Sequence, residues 1–300
     1  MLSPQCFSTA SVPRPPVFLS TRVPGKPLNA PYPRARQVVS DPAQEPVGNM
    51  IVIDSGLGGL SVVRALRAAR PRMALIYVAD TAGFPYGAKT AADLAARAAV
   101  TLTQATRHHS PSAIVVACNT LSTLCLTELR AAFPFPVIGT VPAIKVASAL
   151  SRRFTLLATP NTAHSAYSRD LIDRFANGAT VDCHGAPGLA IIAERMLLDW
   201  PSSTPDLAAE LAPAFHDDHD GITDTIVLGC THYPLIVAAL REAAPWPVRW
   251  IDSSGAIARR ALELADPADG PSTAYVTSQA DVARYGPVFR REGFDRVEAL

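Results

Sequence analysis

The sequence lacks a surplus of either charge: 27 Lys and Arg face 26 Asp and Glu, for a formal net charge of +1. With no Lys/Arg run either, it carries no electrostatic footprint for nucleic acid or an anionic membrane surface. No apolar stretch approaches the ~18 residues that a membrane span requires. The five cysteines of this 300-residue chain include no CxxC pair. An odd, scattered set in a chain of this size argues against a disulfide scaffold and for a reducing compartment. Together these absences predict a cytoplasmic protein with free thiols, without a nucleic-acid or membrane partner, acting on a small molecule. What is present, 48% hydrophobic residues, suffices for a sizeable core in one or two domains.

Residues 1–49 hold ten of the 27 prolines and few large apolar side chains. Such a segment cannot bury enough surface to offset its ordering entropy, so a disordered N-terminal extension is expected. It is slightly basic and contains serine, but its prolines exclude a long amphipathic helix and it has no continuous signal-peptide core. From Met50 onward apolar strands alternate with Ala- and Leu-rich helical stretches, which predicts an α/β fold with mainly parallel sheets flanked by helices. Strands are expected at 50–54, 74–79, 113–118, 137–139, 154–158, 180–183, 225–229 and 248–251. Helices are expected at 59–69, 90–108, 121–132, 142–151, 162–176, 188–199, 204–216, 233–243, 254–265 and 280–291.

One pattern occurs twice. Ala113-Ile-Val-Val-Ala-Cys118-Asn119-Thr120 and Thr225-Ile-Val-Leu-Gly-Cys230-Thr231-His232 are both short apolar runs ending in a cysteine followed by helix-capping residues. Each reads as a buried strand whose cysteine sits where a helix begins. Unpaired backbone N–H groups and the helix dipole there favour a thiolate over a thiol. The repeat predicts two similar domains, each presenting one cysteine at the carboxyl end of its sheet, where open α/β folds bind ligands. A single strand-end cysteine would more readily be inert packing, and Cys125 and Cys183 are read that way, while Cys6 falls in the extension.

Other stretches admit more than one chemistry. Asp54-Ser55-Gly56-Leu57-Gly58-Gly59-Leu60-Ser61 follows the first strand, and its glycines let backbone amides approach an anion at a helix start. It can also be read as a degenerate dinucleotide fingerprint, with Asp80 at the ribose-binding position, or as a plain tight turn. The loop Asp80-Thr-Ala-Gly-Phe84-Pro85-Tyr86-Gly87 suits closure over a small ligand as well as it suits an ordinary surface. His232 can act as a general acid or keep Cys230 charged, and Cys230-x-His232 gives only a weak zinc signal, so no metal is expected. Glu194, on an amphipathic helical stretch, reads from the residues alone as solvated. His108-His109 and the Asp217-Asp218-His219-Asp220 cluster are read as surface.

In order along the chain, Asp54-Ser55-Gly56 with GLGGLSV, Phe84-Pro85-Tyr86-Gly87, Ala117-Cys118-Asn119-Thr120, Val141-Pro-Ala-Ile-Lys145, Leu228-Gly-Cys230-Thr231-His232-Tyr-Pro234 and Asp252-Ser253 resemble the bacterial glutamate racemases. The resemblance runs from about Met50 to the C-terminus. It implies a cofactor-independent racemase that supplies D-glutamate for peptidoglycan. Its two pseudo-symmetric α/β domains would be residues 50–142 plus 253–300 and residues 143–252, with the active site between them. By the same resemblance Cys118 deprotonates the D-enantiomer and Cys230 the L-enantiomer, Asp54 assists Cys118, and Glu194 and His232 assist Cys230. Ser55, Pro85, Tyr86, Gly87, Asn119, Thr120, Thr162 and Thr231 would hold the substrate. The VPAIK form resembles the subgroup with a long N-terminal extension that a peptidoglycan precursor can activate. A homodimer is a further expectation. Arg195-Met196 after Glu194 departs from the small residues more usual there. An aspartate racemase of the same family, a binding or inhibitory protein on this fold, and a nucleotide-dependent oxidoreductase are the competing readings.

Overall fold

The computed structural model describes residues 48–200 and 204–300, so the predicted extension lies outside the described residues up to position 47. The chain runs through β1 (Asn49–Asp54), α1 (Leu60–Ala69), β2 (Leu75–Ala79), α2 (Ala91–His108), β3 (Pro111–Val116), α3 (Asn119–Ala132) and β4 (Val137–Gly139). It continues with α4 (Ile144–Ser148), β5 (Arg153–Ala158), α5 (Pro160–Ala163), α6 (Ala166–Phe175), β6 (Thr180–Gly185), α7 (Leu189–Leu197) and α8 (Thr204–Leu211). A short antiparallel hairpin of β7 (Asp217–Asp218) and β8 (Gly221–Ile222) precedes β9 (Thr225–Gly229), α9 (Val237–Ala243) and β10 (Arg249–Ile251). The last elements are α10 (Ser254–Leu264), β11 (Thr273–Val276), α11 (Asp281–Arg291) and β12 (Arg296–Ala299).

The fold is α/β, with two parallel sheets flanked by helices. One has the order β12-β11-β2-β1-β3-β4 and the other β10-β9-β5-β6. The runs without polar alternation form central strands because both faces are buried. Along β1, Met50 and Val52 pack into one cluster with α1 and α10 residues, while Ile51 and Ile53 pack into another with α2 and α3 residues. The second sheet repeats the division: Leu157, Ile226 and Leu228 face one side, and Phe154, Leu156 and Val227 the other. No helix among the described residues is long and apolar enough to cross a membrane.

Several predicted elements move. The helix expected over 162–176 is two, because Ser165 accepts the Ser168 N–H at 2.9 Å and caps a new start. The stretch 233–243 begins as a 3-10 turn with Pro234 at its start before α9, and 204–216 ends in a 3-10 turn around Pro213. Strand β3 stops at Val116, two residues short of Cys118, and β6 runs on past Cys183 to Gly185. The short strands β11 and β12 were not anticipated: four residues each, with too little apolar periodicity to register, they complete the edge of the first sheet.

Candidate active site

In each sheet the strand order reverses next to the first strand laid down. From β1 the chain pairs β2 on one side and β3 on the other, and from β5 it pairs β6 and then β9. Crossovers that diverge at such a point leave a crevice at the carboxyl ends of the strands. Cys118 follows β3 and caps α3, and Cys230 directly follows β9. Both thiols are 6% exposed and line one pocket, together with Ser55, Pro85, Tyr86, Gly87, Asn119, Thr120, Thr231 and His232. Chain segments that lie far apart in sequence therefore converge on a single small cleft.

Behind Cys230 lies a polar relay. Its sulfur is 3.8 Å from His232 Nδ1, and His232 Nε2 is 2.9 Å from Glu194 Oε2. The Glu194 carboxylate also accepts the Leu57 N–H at 3.0 and 3.2 Å. Glu194 is thus buried rather than solvated, which corrects the residue-based reading: on α7 it faces inward because a histidine and a backbone amide await it. The Leu57 amide of the glycine-rich loop, which the sequence offers to a bound anion, is taken by the protein's own Glu194 carboxylate. A Cβ on Gly56 would lie 2.9 Å from Glu194 Cδ, and one on Gly58 would lie 2.6 Å from His232 Cε1 and 2.7 Å from Thr231 Oγ1. These glycines are needed for close approach of side chains from the second sheet. Tyr77 steadies the same loop by donating to the Gly56 carbonyl at 2.7 Å.

Asp54, fully buried at the end of β1, accepts the Gly56 N–H at 2.8 Å and the Thr231 hydroxyl at 2.9 Å. Burial lifts its carboxyl above the usual range, against the pull of His232, the Gly56 N–H and the Thr231 hydroxyl. Burial also works against a charge on His232, yet the Cys230 sulfur and the Glu194 carboxylate outweigh it and hold the imidazole well above its ordinary value. The expected thiolate at a helix start is reversed at Cys118. Burial and the neighbouring Asp54 push this thiol well up, and the backbone N–H groups of Leu121 and Thr120 only partly oppose them. Cys230 is followed by a 3-10 turn rather than an α-helix, so the positive charge beside it comes from His232 and not from a helix dipole.

The profile of the Asp/Glu/hydantoin racemase family matches residues 60–261. The glutamate racemase of Brucella canis is 44% identical over 226 residues, covering 74% of this chain and 82% of that protein. That of Agrobacterium fabrum is 43% identical over 228 residues, covering 75% and 84%. This chain belongs to the Asp/Glu/hydantoin racemase family. Among solved structures, Escherichia coli glutamate racemase in complex with L-glutamate and the activator UDP-MurNAc-Ala superposes with a TM-score of 0.78 at 36% identity, covering 84% of this chain and 98% of that one. Glutamate racemase from Thermus thermophilus in complex with β-chloro-D-alanine gives a TM-score of 0.66 at 30% identity, covering 86% and 98%.

Within this racemase-family chain the predicted site residues fall into two shells. Asp54 and Glu194 do not line the pocket but stand behind residues that do. Thr162 is also set back, with its hydroxyl 3.4 Å from that of Thr120 and 3.1 Å from that of Thr159. Thr159 lines the pocket and was missed, as were Ala88, Pro160, Pro187 and Ala190, while Phe84 reaches it from the loop read as suited to close over a ligand. Thr159 follows β5, the position in the second sheet that Ser55 approaches in the first, so strand-end placement was the available signal. Among the described residues the buried Asn119 Oδ1 has no hydrogen-bond partner, leaving an acceptor for a ligand's N–H. Asp80, the supposed ribose acid, instead bonds Arg97, Tyr86 and Thr277. The Asp217–Asp220 cluster is exposed, as read from the sequence, and Asp218 pairs with Arg153.

Proposed function

We propose that this protein is a cofactor-independent racemase that interconverts L- and D-glutamate with Cys118 and Cys230 as the two acid/base groups. The observation that carries this reading is that two buried thiols, one from each sheet, line the same pocket. Inverting an α-carbon requires removing a proton from one face and delivering another to the opposite face. Two groups flanking the carbon do this without turning the carbanion over. In our reading the Cys118 thiolate takes the α-proton of D-glutamate while the Cys230 thiol donates to the other face, and the roles exchange for L-glutamate.

Glu194 and His232 support Cys230, and Asp54 acts on Cys118 through its charge. This route uses no electron sink, so positioning, desolvation and hydrogen bonds to the substrate must lower the barrier. The substrate's ammonium is the cation the pocket needs: close to the sulfurs, it favours the thiolate that burial disfavours at Cys118. Asn119 Oδ1 suits that ammonium as an acceptor. Ser55, the 85–87 loop, Thr120 and Thr231 would serve the remaining polar groups, with Thr162 orienting the Thr120 hydroxyl from behind. On this reading residues 50–142 with 253–300 and residues 143–252 act as two domains around the substrate, and the enzyme supplies D-glutamate for peptidoglycan in the cytoplasm.

The test is proton NMR of the purified protein with D-glutamate in D2O, without added cofactor, beside chiral analysis and a D-aspartate sample. Loss of the α-proton signal as L-glutamate forms is expected. Turnover of aspartate alone would move the substrate assignment, and no exchange with either, both without and with added UDP-MurNAc-Ala, would reject the reading. The E. coli relative's complex with UDP-MurNAc-Ala, and the Val141-Pro-Ala-Ile-Lys145 stretch, support a precursor activator here as well. Racemisation kinetics unchanged by that nucleotide would refute it.

A further inference from the structure

We propose that Asp80 is a positioning residue for the substrate loop, acting through the Tyr86 phenol, with Arg97 and Thr277 as the groups that hold it. The inference rests on the racemase reading above and names a device within that site. Asp80 follows β2, one strand away from the strand that ends in Asp54, and its backbone N–H donates to the Asp54 carbonyl at 2.9 Å. Its carboxylate is fully buried and is shared among three side chains. Oδ2 accepts the Tyr86 hydroxyl at 2.6 Å and the Arg97 Nε–H. Oδ1 accepts Arg97 Nη2 at 2.6 Å and the Thr277 hydroxyl at 2.7 Å.

A carboxylate gripped by both arms of a guanidinium is a directional anchor, since the planar fork permits one arrangement. The anchor joins three elements that the chain order separates: the loop after β2, helix α2 and the segment after β11. Thr277 Oγ1 also accepts the Ala82 N–H at 3.0 Å, and the Gly83 N–H donates to the Asp80 carbonyl at 2.9 Å, so the root of the loop is tied to the same hub.

Tyr86 lies at the other end of this hub. It lines the pocket, belongs to the same apolar cluster as Cys118, and gives its only hydroxyl proton to Asp80. The phenol therefore has no donor left for a substrate, and Tyr86 serves the pocket with the backbone that its anchored side chain holds in place. Burial and Asp80 together push the Tyr86 hydroxyl well above its ordinary pKa, so the donor stays a donor through the working range. Neither Arg97 nor Thr277 lines the pocket, and both reach it through this chain of contacts.

Double-mutant kinetics test the proposal. Loop contacts made equally in ground and transition states appear in KM and not in kcat, so Arg97→Gln is expected to raise KM for glutamate about tenfold with kcat within about twofold. Arg97→Lys, which keeps the charge but not the fork, should recover part of the loss. If Arg97 works through the Tyr86 hydroxyl, the same substitution in a Tyr86→Phe background should change KM by less than about twofold, because the link is already cut. Thr277→Val, nearly isosteric, gives a second entry to the same cycle should Arg97→Gln fail to fold. KM effects that multiply across both cycles, or an unchanged KM in the folded single variants, overturn the proposal. A wild-type protein that does not racemise glutamate would remove the underlying reading and this inference with it, whereas an active wild type with multiplicative effects removes this inference alone.

Discussion

Replacing Glu194 by Gln isolates the charge of the relay while keeping its shape. In the wild-type protein both partners of the Glu194–His232 pair are nearly inaccessible, with side-chain exposures of 4% and 3%. A glutamine can still accept the Leu57 N–H, but its amide nitrogen then meets a second donor in place of an oxygen, and the negative charge is gone. Removing one partner of a buried pair costs about 3–5 kcal/mol, and the retained hydrogen bond argues for the lower end. At about 2–3 °C per kcal/mol for a chain of this length, Tm should fall by about 6–9 °C. Glu194 is one of two groups that outweigh burial in raising the His232 pKa above its ordinary value of 6.5. A group whose folded pKa is raised stabilises the fold fully below its unfolded value and loses that contribution as pH rises through the folded value. The gap in stability between wild type and variant should therefore be widest near pH 6 and narrow in alkali. Both enantiomers have the same free energy, so kcat/KM must fall equally in the two directions, by about 10²-fold for an impaired acid/base partner. The asymmetry appears elsewhere: D-glutamate in D2O should show more α-proton exchange without inversion, since Cys118 is untouched. An unchanged Tm together with an unchanged ratio of exchange to inversion would refute the reasoning.

Cys118→Ser and Cys230→Ser should each cut racemisation by about 10³-fold with the fold retained by circular dichroism; near-normal rates in both would sink the two-thiol mechanism. Gly58→Ala places a methyl against the His232 ring, which Glu194 holds from behind, and should cost about 1–3 kcal/mol in chemical denaturation along with most of the activity. Because burial and Asp54 push the Cys118 thiol well up, thiolate is scarce in the free enzyme at neutral pH. Racemisation kcat/KM should climb from pH 6 to pH 8.5, and a plateau reached by pH 7 would contradict this. The same shift makes the thiol's contribution to stability disappear as pH rises beyond the value of 9.0 at which an unfolded cysteine ionises.

Much of this molecule was legible in its linear order. Strands buried on both faces announce themselves as unbroken β-branched runs, so the central strands β1, β3, β5 and β9 were placed within a few residues, and with them the two cysteines at their carboxyl ends. The glycine-rich turn after β1 was equally visible, though its partner was not. Strands β11 and β12 escaped notice because four residues carry little periodicity, whether mostly buried between two neighbours, as β11 is, or at the sheet edge and partly exposed, as β12 is. What the sequence alone determined was the alternation of apolar strands and helices and the two positions where a thiol meets a chain turn, since these depend on local patterning and strand-end chemistry. Only the tertiary structure decided which charges those thiols feel. Glu194 looks like a surface residue until α7 packs its inner face against the Leu57 amide and His232. Asp80 looks like a ligand-binding acid until Arg97, Tyr86 and Thr277 close around it. The balance at Cys118 tips from thiolate to thiol because desolvation is a property of the assembled core, and no stretch of the chain carries it by itself.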